Sequence, residues 1–273
     1  MSTLVLLSVM AMGTLAGALG ALLGLGGGVF LVPFLRQALG LPAAVASGIS
    51  LTTVIATSSV VSAGRTGRQL INLRLGMLLE VATAAGGLVG GIAAQLLSDR
   101  TLDVLFAVVT AVIAIVMLSR LERRNVIRDL SVDPGRLGGR YHDHETGGDI
   151  VYRVKRMPLA LLASWVAGSI SGLLGVGGGI LKVPVLNAWC GVPLRAAAAT
   201  SAFMIGVTAA ASAPLYYAQG HILAPLAGAA VIGVLVGSHL AIRFGERTPA
   251  RWLKLLMAAV LFAVSILTLV RTR

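Results

Sequence analysis

The sequence predicts an all-α polytopic membrane protein made of two homologous halves, arranged as an inverted repeat, with short or discontinuous helices at Gly-rich segments. Three observations carry this. The 273 residues are 57% hydrophobic and only 12% charged. Residues 104–118 and 253–270 are nearly uncharged runs that cross most or all of a hydrocarbon core, a span of roughly 20 helical residues. Finally, residues 24–33 (G-L-G-G-G-V-F-L-V-P) return 151 residues later as residues 175–184 (G-V-G-G-G-I-L-K-V-P). Ten of the nineteen positions in 17–35 are identical to 168–186, and Gly40, Pro42 and Ser50 recur as Gly191, Pro193 and Ser201.

The expected division is a first membrane repeat over 1–120, a cytoplasmic hydrophilic loop over 121–157 and a second membrane repeat over 158–273. Residues 1–23 read as the first apolar helix, with Gly13, Gly17, Gly20 and Gly24 at a small-residue spacing that lets helix backbones approach in lipid. Residues 4–23 resemble a signal peptide but lack a basic start, and their later part is matched in the second half, so they read as structure. Residues 29–39 are too few to span untilted, and Pro33 is expected to interrupt them. Residues 43–63 carry eight Ser and Thr, too polar to face lipid all round. A basic connection over 64–74 leads to a spanning helix over 75–97 that contains Glu80, then a short turn over 98–103 and a helix over 104–119.

Residues 120–156 form the hydrophilic segment, holding nine of the 22 basic and six of the ten acidic residues. Within it His142, Asp143, His144 and Glu145 read as solvated loop residues, and no metal site is expected. The second half repeats the plan: 159–174, the short proline-broken 180–190, the hydroxylated 193–217, then spans over 223–242 and 252–270. Trp165, Trp189, Trp252, Tyr216 and Tyr217 are expected at membrane interfaces.

The net charge of +12 invites a nucleic-acid reading, but the basic residues cluster in the loop and at run ends, where they act as topology signals. Aromatic–basic interleaving of the kind that grips single strands is missing. By the positive-inside rule the basic loops 65–74, 120–156 and 243–254 are cytoplasmic. The basic connection precedes the fourth element in one half and follows it in the other. That shift favours inversion of one half, an odd number of crossings in each, and both termini outside the cytoplasmic membrane.

A triple glycine after a helix breaks it, and unwound backbone at membrane depth is tolerated only inside protein or beside a wet cavity. The half-helix that follows presents free amides that bind an anion without a full cationic charge. Matched breaks in two halves point to a transporter site near the midplane. Gly17, Gly20, Gly86 and Gly90 are read instead as packing positions. A phosphate loop is excluded, since Lys182 lies between Leu181 and Val183.

The doubled G-x-G-G-G-x-x-x-V-P pattern, the central hydrophilic loop and the pair Thr200–Ser201 resemble the sulfite exporter TauE/SafE family over nearly the whole chain. The resemblance implies movement of sulfite, a related sulfur oxyanion or an organosulfonate across the cytoplasmic membrane. The first half departs from the Thr-Ser pair, with Ile49 and Ser50 there and Thr52 and Thr53 following.

The expected substrate-binding set is Gly26, Gly27, Gly28, Pro33, Ser50, Thr52, Thr53, Gly177, Gly178, Gly179, Lys182, Pro184, Thr200 and Ser201. Lys182 either complements the anion or snorkels to the interface. The hydroxyls either donate to the anion or bond neighbouring backbone. Glu80 carries a coupling proton or pairs with an arginine. Arg36 and Arg195 read as topology anchors, His239 as an interfacial histidine and Cys190 as a buried, inert thiol. No cofactor is expected. The partners are a small anion and the bilayer, with the oligomeric state open. A transporter or channel for a different solute, such as a carboxylate, is the alternative. An enzyme is disfavoured because H-E-x-x-H, G-x-S-x-G and paired intramembrane aspartates do not occur.

Overall fold

The computed structural model describes residues 2–64, 69–94, 96–119, 133–143, 148–174, 178–245 and 250–272. In chain order these form α1 (Thr3–Leu23), α2 (Gly28–Ala38), α3 (Ala43–Ala63), α4 (Leu73–Ala94) and α5 (Asp99–Ser119). A hairpin of β1 (Gly139–Asp143) and β2 (Gly148–Tyr152) follows, then α6 (Met157–Leu174), α7 (Gly179–Ala188), α8 (Leu194–Ala218), α9 (Ala224–Gly245) and α10 (Ala250–Thr272). Among the described residues, five helices (α1, α3, α4, α8 and α9) are long and apolar enough to cross a membrane. Their outward faces are apolar: Leu4, Leu15, Val81, Leu88, Ile92 and Ile232 are all more than half exposed. Ser47, Ser50, Thr53, Thr57, Thr200 and Ser201 are buried instead. Apolar outside and hydroxylated inside is the distribution a bilayer selects, and this is a multi-pass membrane protein.

The chain reverses at the first glycine break. Gly27 lies against Ala16, and Leu31, Val32 and Leu35 share an apolar cluster with Val9, so α2 runs back along α1. Its 11 residues reach about 16 Å, roughly half a hydrocarbon core. Pro33 and Pro184 lie inside α2 and α7 rather than ending them, which corrects the expected interruption. Each deletes one amide, whose partner would have been a first-turn carbonyl (Val29 in α2), so the helix continues past it.

Two further expectations change. The helix expected from residue 104 begins at Asp99, with the Ser98 hydroxyl accepting a hydrogen bond from the Thr101 amide at 3.3 Å as a cap. The hydrophilic segment read as an extramembrane loop contains an antiparallel hairpin, paired Tyr141 to Ile150, so the protein is mostly rather than entirely α. Tyr141, Ile150, Val151 and Tyr152 are buried, with the two tyrosine rings edge-to-face at 6.4 Å.

Packing is reciprocal between the halves. The first helix of each half packs on the fourth of the other, α1 on α9 and α6 on α4. The third helices α3 and α8 pair with each other, as do the last helices α5 and α10. Glycines make the first two seams close. Gly13 and Gly17 face the backbone of Ala230 and Val234, while Gly86 and Gly90 face Trp165 and Ser169. These numbers rise together, so both seams are parallel. In α3 and α8 they run oppositely: Gly48 touches His221, just past the end of α8, and Ser58 touches Gly206. Those two equivalent helices are therefore antiparallel.

Candidate functional site

Gly24 closes α1 in the left-handed conformation (φ 69°), and the Leu25 amide reaches back to the Gly20 carbonyl at 3.1 Å, a glycine C-cap. Gly26 and Gly27 also have positive φ, 77° and 76°, so the turn from α1 into α2 needs residues without a Cβ. Gly20, read as a helix-packing position, instead faces Gly26 and Gly27, and so serves the break itself. Gly178 caps α7 in the same conformation, at φ 57°.

The two breaks meet. A Cβ placed on Gly179 would lie 3.1 Å from the Leu25 Cα and 3.2 Å from the Ser201 Oγ, and closer still to the Gly24 carbonyl oxygen. The Ser201 hydroxyl donates to that carbonyl at 3.2 Å. Gly26 faces α3 and α8, its missing Cβ leaving space that Ile205 Cδ1 would contest at 2.6 Å and Val54 Cγ1 at 3.2 Å. Thus Gly24, Gly26, Gly179 and Ser201, from both halves, form one buried junction. Gly28 opens α2 and is buried; Gly177 lies outside the described residues. Pro33 is half-buried and Pro184 buried.

The hydroxyls divide. Thr52 and Thr53 donate to the Ile49 and Ser50 carbonyls, both at 2.7 Å, which is helix back-bonding. Thr200 accepts the Asn72 amide at 3.0 Å and so ties α8 to the start of α4. The Ser50 hydroxyl is fully buried and has no hydrogen-bond partner among the described residues. Within the expected binding set, Ser50 is therefore the hydroxyl with free capacity.

Lys182 does not snorkel. It is 1% exposed and sits on the first turn of α7, its amide directed at the Gly178 carbonyl at 3.4 Å. Its Nζ lies 3.7 Å from the Glu80 carboxylate on α4. Thr208 on α8 donates to the other Glu80 oxygen. Glu80 thus pairs with a lysine from the other half rather than with an arginine near a helix end. The repeat counterparts of Lys182 and Glu80 are Leu31 in the first half and Val231 in the second, so the charged cluster is one-sided. Sequence reading singles out Lys182 and Glu80 separately and counts Thr208 only among the hydroxyls of 193–217, not in the site. Its spacing of seven from Ser201 places both on one face of α8.

Other named residues lie away from the junction. Arg36 pairs with Asp103 of α5. Arg195 is half-buried in the first turn of α8, and His239 is exposed. His142 binds Asp149 across the hairpin at 2.9 Å, while His144 and Glu145 lie outside the described residues. Cys190 is buried, and that burial pushes its thiol up to about 11, against an opposing pull from Arg156. Trp165, Trp252 and Tyr217 are exposed on the outer surface; Trp189 and Tyr216 are half-buried.

Asn72 is a second residue that sequence reading passed over. Its carboxamide caps the Leu75 amide at 3.0 Å and donates to the Leu137 carbonyl at 2.8 Å and the Tyr152 hydroxyl at 3.1 Å. Burial raises the Tyr152 hydroxyl above its ordinary value, and Asn72 pulls against that. Asn72 so fastens the hairpin to the entrance of α4. Beside it a cavity of about 290 Å³ opens, lined by Gln69, Asn72, Arg74, Arg140 and Tyr152 among others.

Residues 9–268 match the family described as Sulfite exporter TauE/SafE. Similar curated proteins include the "Probable membrane transporter protein YunE" of Bacillus subtilis, 24% identical over 260 residues, with 93% of each chain covered. Another probable membrane transporter protein, from Methanocaldococcus jannaschii, is 24% identical over 265 residues, covering 91% of this chain and 90% of its own. No solved structure matches the chain.

Proposed function

The chain belongs to the sulfite exporter TauE/SafE family, whose members are membrane transporters and not enzymes, and on that premise we propose that it is a secondary transporter of a small sulfur-containing anion. Sulfite, a related sulfur oxyanion or an organosulfonate would cross the cytoplasmic membrane, bound where the two glycine breaks meet. The observation that carries this is the junction of Gly179 with Gly24, Leu25 and Ser201. There the start of α7 meets the end of α1, with Lys182 one turn away, and the backbone amides that a helix start leaves over would serve the anion. The substrate set is the expected one, with the unbonded Ser50 hydroxyl as its free donor and Ser201 holding the Gly24 carbonyl.

The two halves act as an inverted repeat that rocks about this junction. Reciprocal packing and the antiparallel course of α3 and α8 support the inversion. Asn72 joins the 69–72 connection to the hairpin, so two of the basic segments share one end, taken as cytoplasmic. The 219–223 connection lies at the other end of α8, on the side where the termini are placed.

The test is flux in proteoliposomes with sulfite, thiosulfate, sulfate, methanesulfonate and a carboxylate panel. Sulfur anions should move, and Gly26→Val and Gly178→Val, each strained at positive φ, should abolish movement in folded protein. Transport of carboxylates alone, or unaltered flux in both variants, would sink the reading.

A further inference from the structure

We propose that transport is coupled to protons by an exchange of partners at Lys182: the anion takes the place of the Glu80 carboxylate beside the ammonium, and Glu80 leaves as the protonated acid. The step rests on the anion site proposed above and adds its driving force.

The geometry of the pair points this way. A buried ion pair offsets its desolvation only with close, fully hydrogen-bonded contact. Lys182 Nζ and Glu80 Oε2 are buried, stand 3.7 Å apart and make no hydrogen bond among the described residues. The ammonium keeps its donors unspent, one helical turn from the junction of the breaks. The other carboxylate oxygen is held by Thr208, whose hydroxyl donates to a carboxylate and accepts from a carboxylic acid equally well, so it serves both states.

Charge balance supplies the coupling. Among the described residues, each member of the pair has the other as its one charged neighbour. The remaining ionisable groups on the surrounding helices lie elsewhere. On α4, Arg74 is exposed near the connection; on α8, Arg195 sits in the first turn and Tyr216 and Tyr217 at the far end. On α5, Asp99, Arg100 and Asp103 lie in the first turns, Asp103 on Arg36. Neither α6 nor α7 adds another ionisable residue. An anion entering beside Lys182 would leave one uncompensated negative charge in a low-dielectric site, at prohibitive cost. Protonation of Glu80 removes it. One proton and one monoanion enter, one carboxylic acid and one lysine–anion pair result, and the site stays neutral throughout. Leu31 and Val231 occupy the repeat counterparts of Lys182 and Glu80, so the duplication supplies no second pair of this kind.

The experiment uses the full chain in proteoliposomes with the membrane potential clamped at zero, and sulfite and methanesulfonate as probes; the charge of the latter is constant with pH. A gradient of about one pH unit should drive about tenfold accumulation of a monoanion. Glu80→Gln should keep tracer exchange yet lose accumulation, while Lys182→Met should lose both. The neutral double variant, Glu80→Gln with Lys182→Met, guards against a misfolded single variant and should be folded and inactive. Wild-type exchange indifferent to the pH gradient would overturn the coupling alone. So would gradient-driven accumulation by Glu80→Gln. A wild type that exchanges neither probe overturns the anion site and the coupling together.

Discussion

Replacing Gly17 with alanine tests the close seam between α1 and α9. The new Cβ would stand 2.5 Å from the Val234 carbonyl oxygen and 2.7 Å from its Cα. Ordinary contact begins at 3.4 Å, so the helices must part by nearly 1 Å, and both obstructing atoms are backbone that cannot rotate away. Parting them also strains Gly13 against Ala230 and the hydrogen bond from Ser238 to the Gly17 carbonyl, now 3.1 Å. Overpacking costs about 1–3 kcal/mol, and an interhelical hydrogen bond in lipid contributes about 0.6 kcal/mol. Gly17→Ala should therefore destabilise by about 2–3 kcal/mol. The control is Gly228→Ala on α9, where nothing lies within 4 Å of the new methyl. There alanine should stabilise by up to about 1 kcal/mol through helix propensity. Reversible unfolding in mixed micelles titrated with SDS, followed by tryptophan fluorescence, reads both. If the two variants unfold at the same midpoint, the seam is not as close as described.

Ser201→Ala leaves the buried Gly24 carbonyl without its donor; a loss of about 1–2 kcal/mol and slower anion flux are expected, read by the same unfolding and by liposome uptake. Asn72→Ala removes the cap on Leu75 and both ties to the hairpin, so about 1 kcal/mol should be lost and proteolysis within 133–152 should quicken. Cys190, with its thiol held up to about 11, should resist a maleimide at neutral pH until the protein is unfolded. The sign for stability follows from linkage. Above about 9 the unfolded thiol ionises while the folded one does not, so this contribution falls as pH rises towards 11, and unfolding midpoints across that range check it.

Much of the fold was legible in the order of residues. A bilayer needs apolar runs of a set length, and residues 43–63 were delimited to the residue as α3. Glycine's freedom at positive φ is a property of one residue, so the breaks at 24–28 and 178–179 could be placed without a structure. Pro33 misled because a proline's cost depends on which carbonyl loses its partner, and in the first turns of α2 that cost is small. The hairpin was hidden by the same polar composition that marked its segment as extramembrane.

What stayed hidden was partnership. The duplicated motif announced two breaks, but that Gly179 rests against Gly24 depends on how α1, α7 and α8 are packed. Lys182 was visible as the charge that the first copy lacks, and Glu80 as an acid inside a span. Their union at 3.7 Å joins residues from different halves, more than a hundred positions apart. Local sequence determines where a chain breaks and which face avoids lipid, because those energies belong to single residues and their near neighbours. The buried pair and the glycine junction are set by helices distant in the chain, whose contact is settled only by close packing through space.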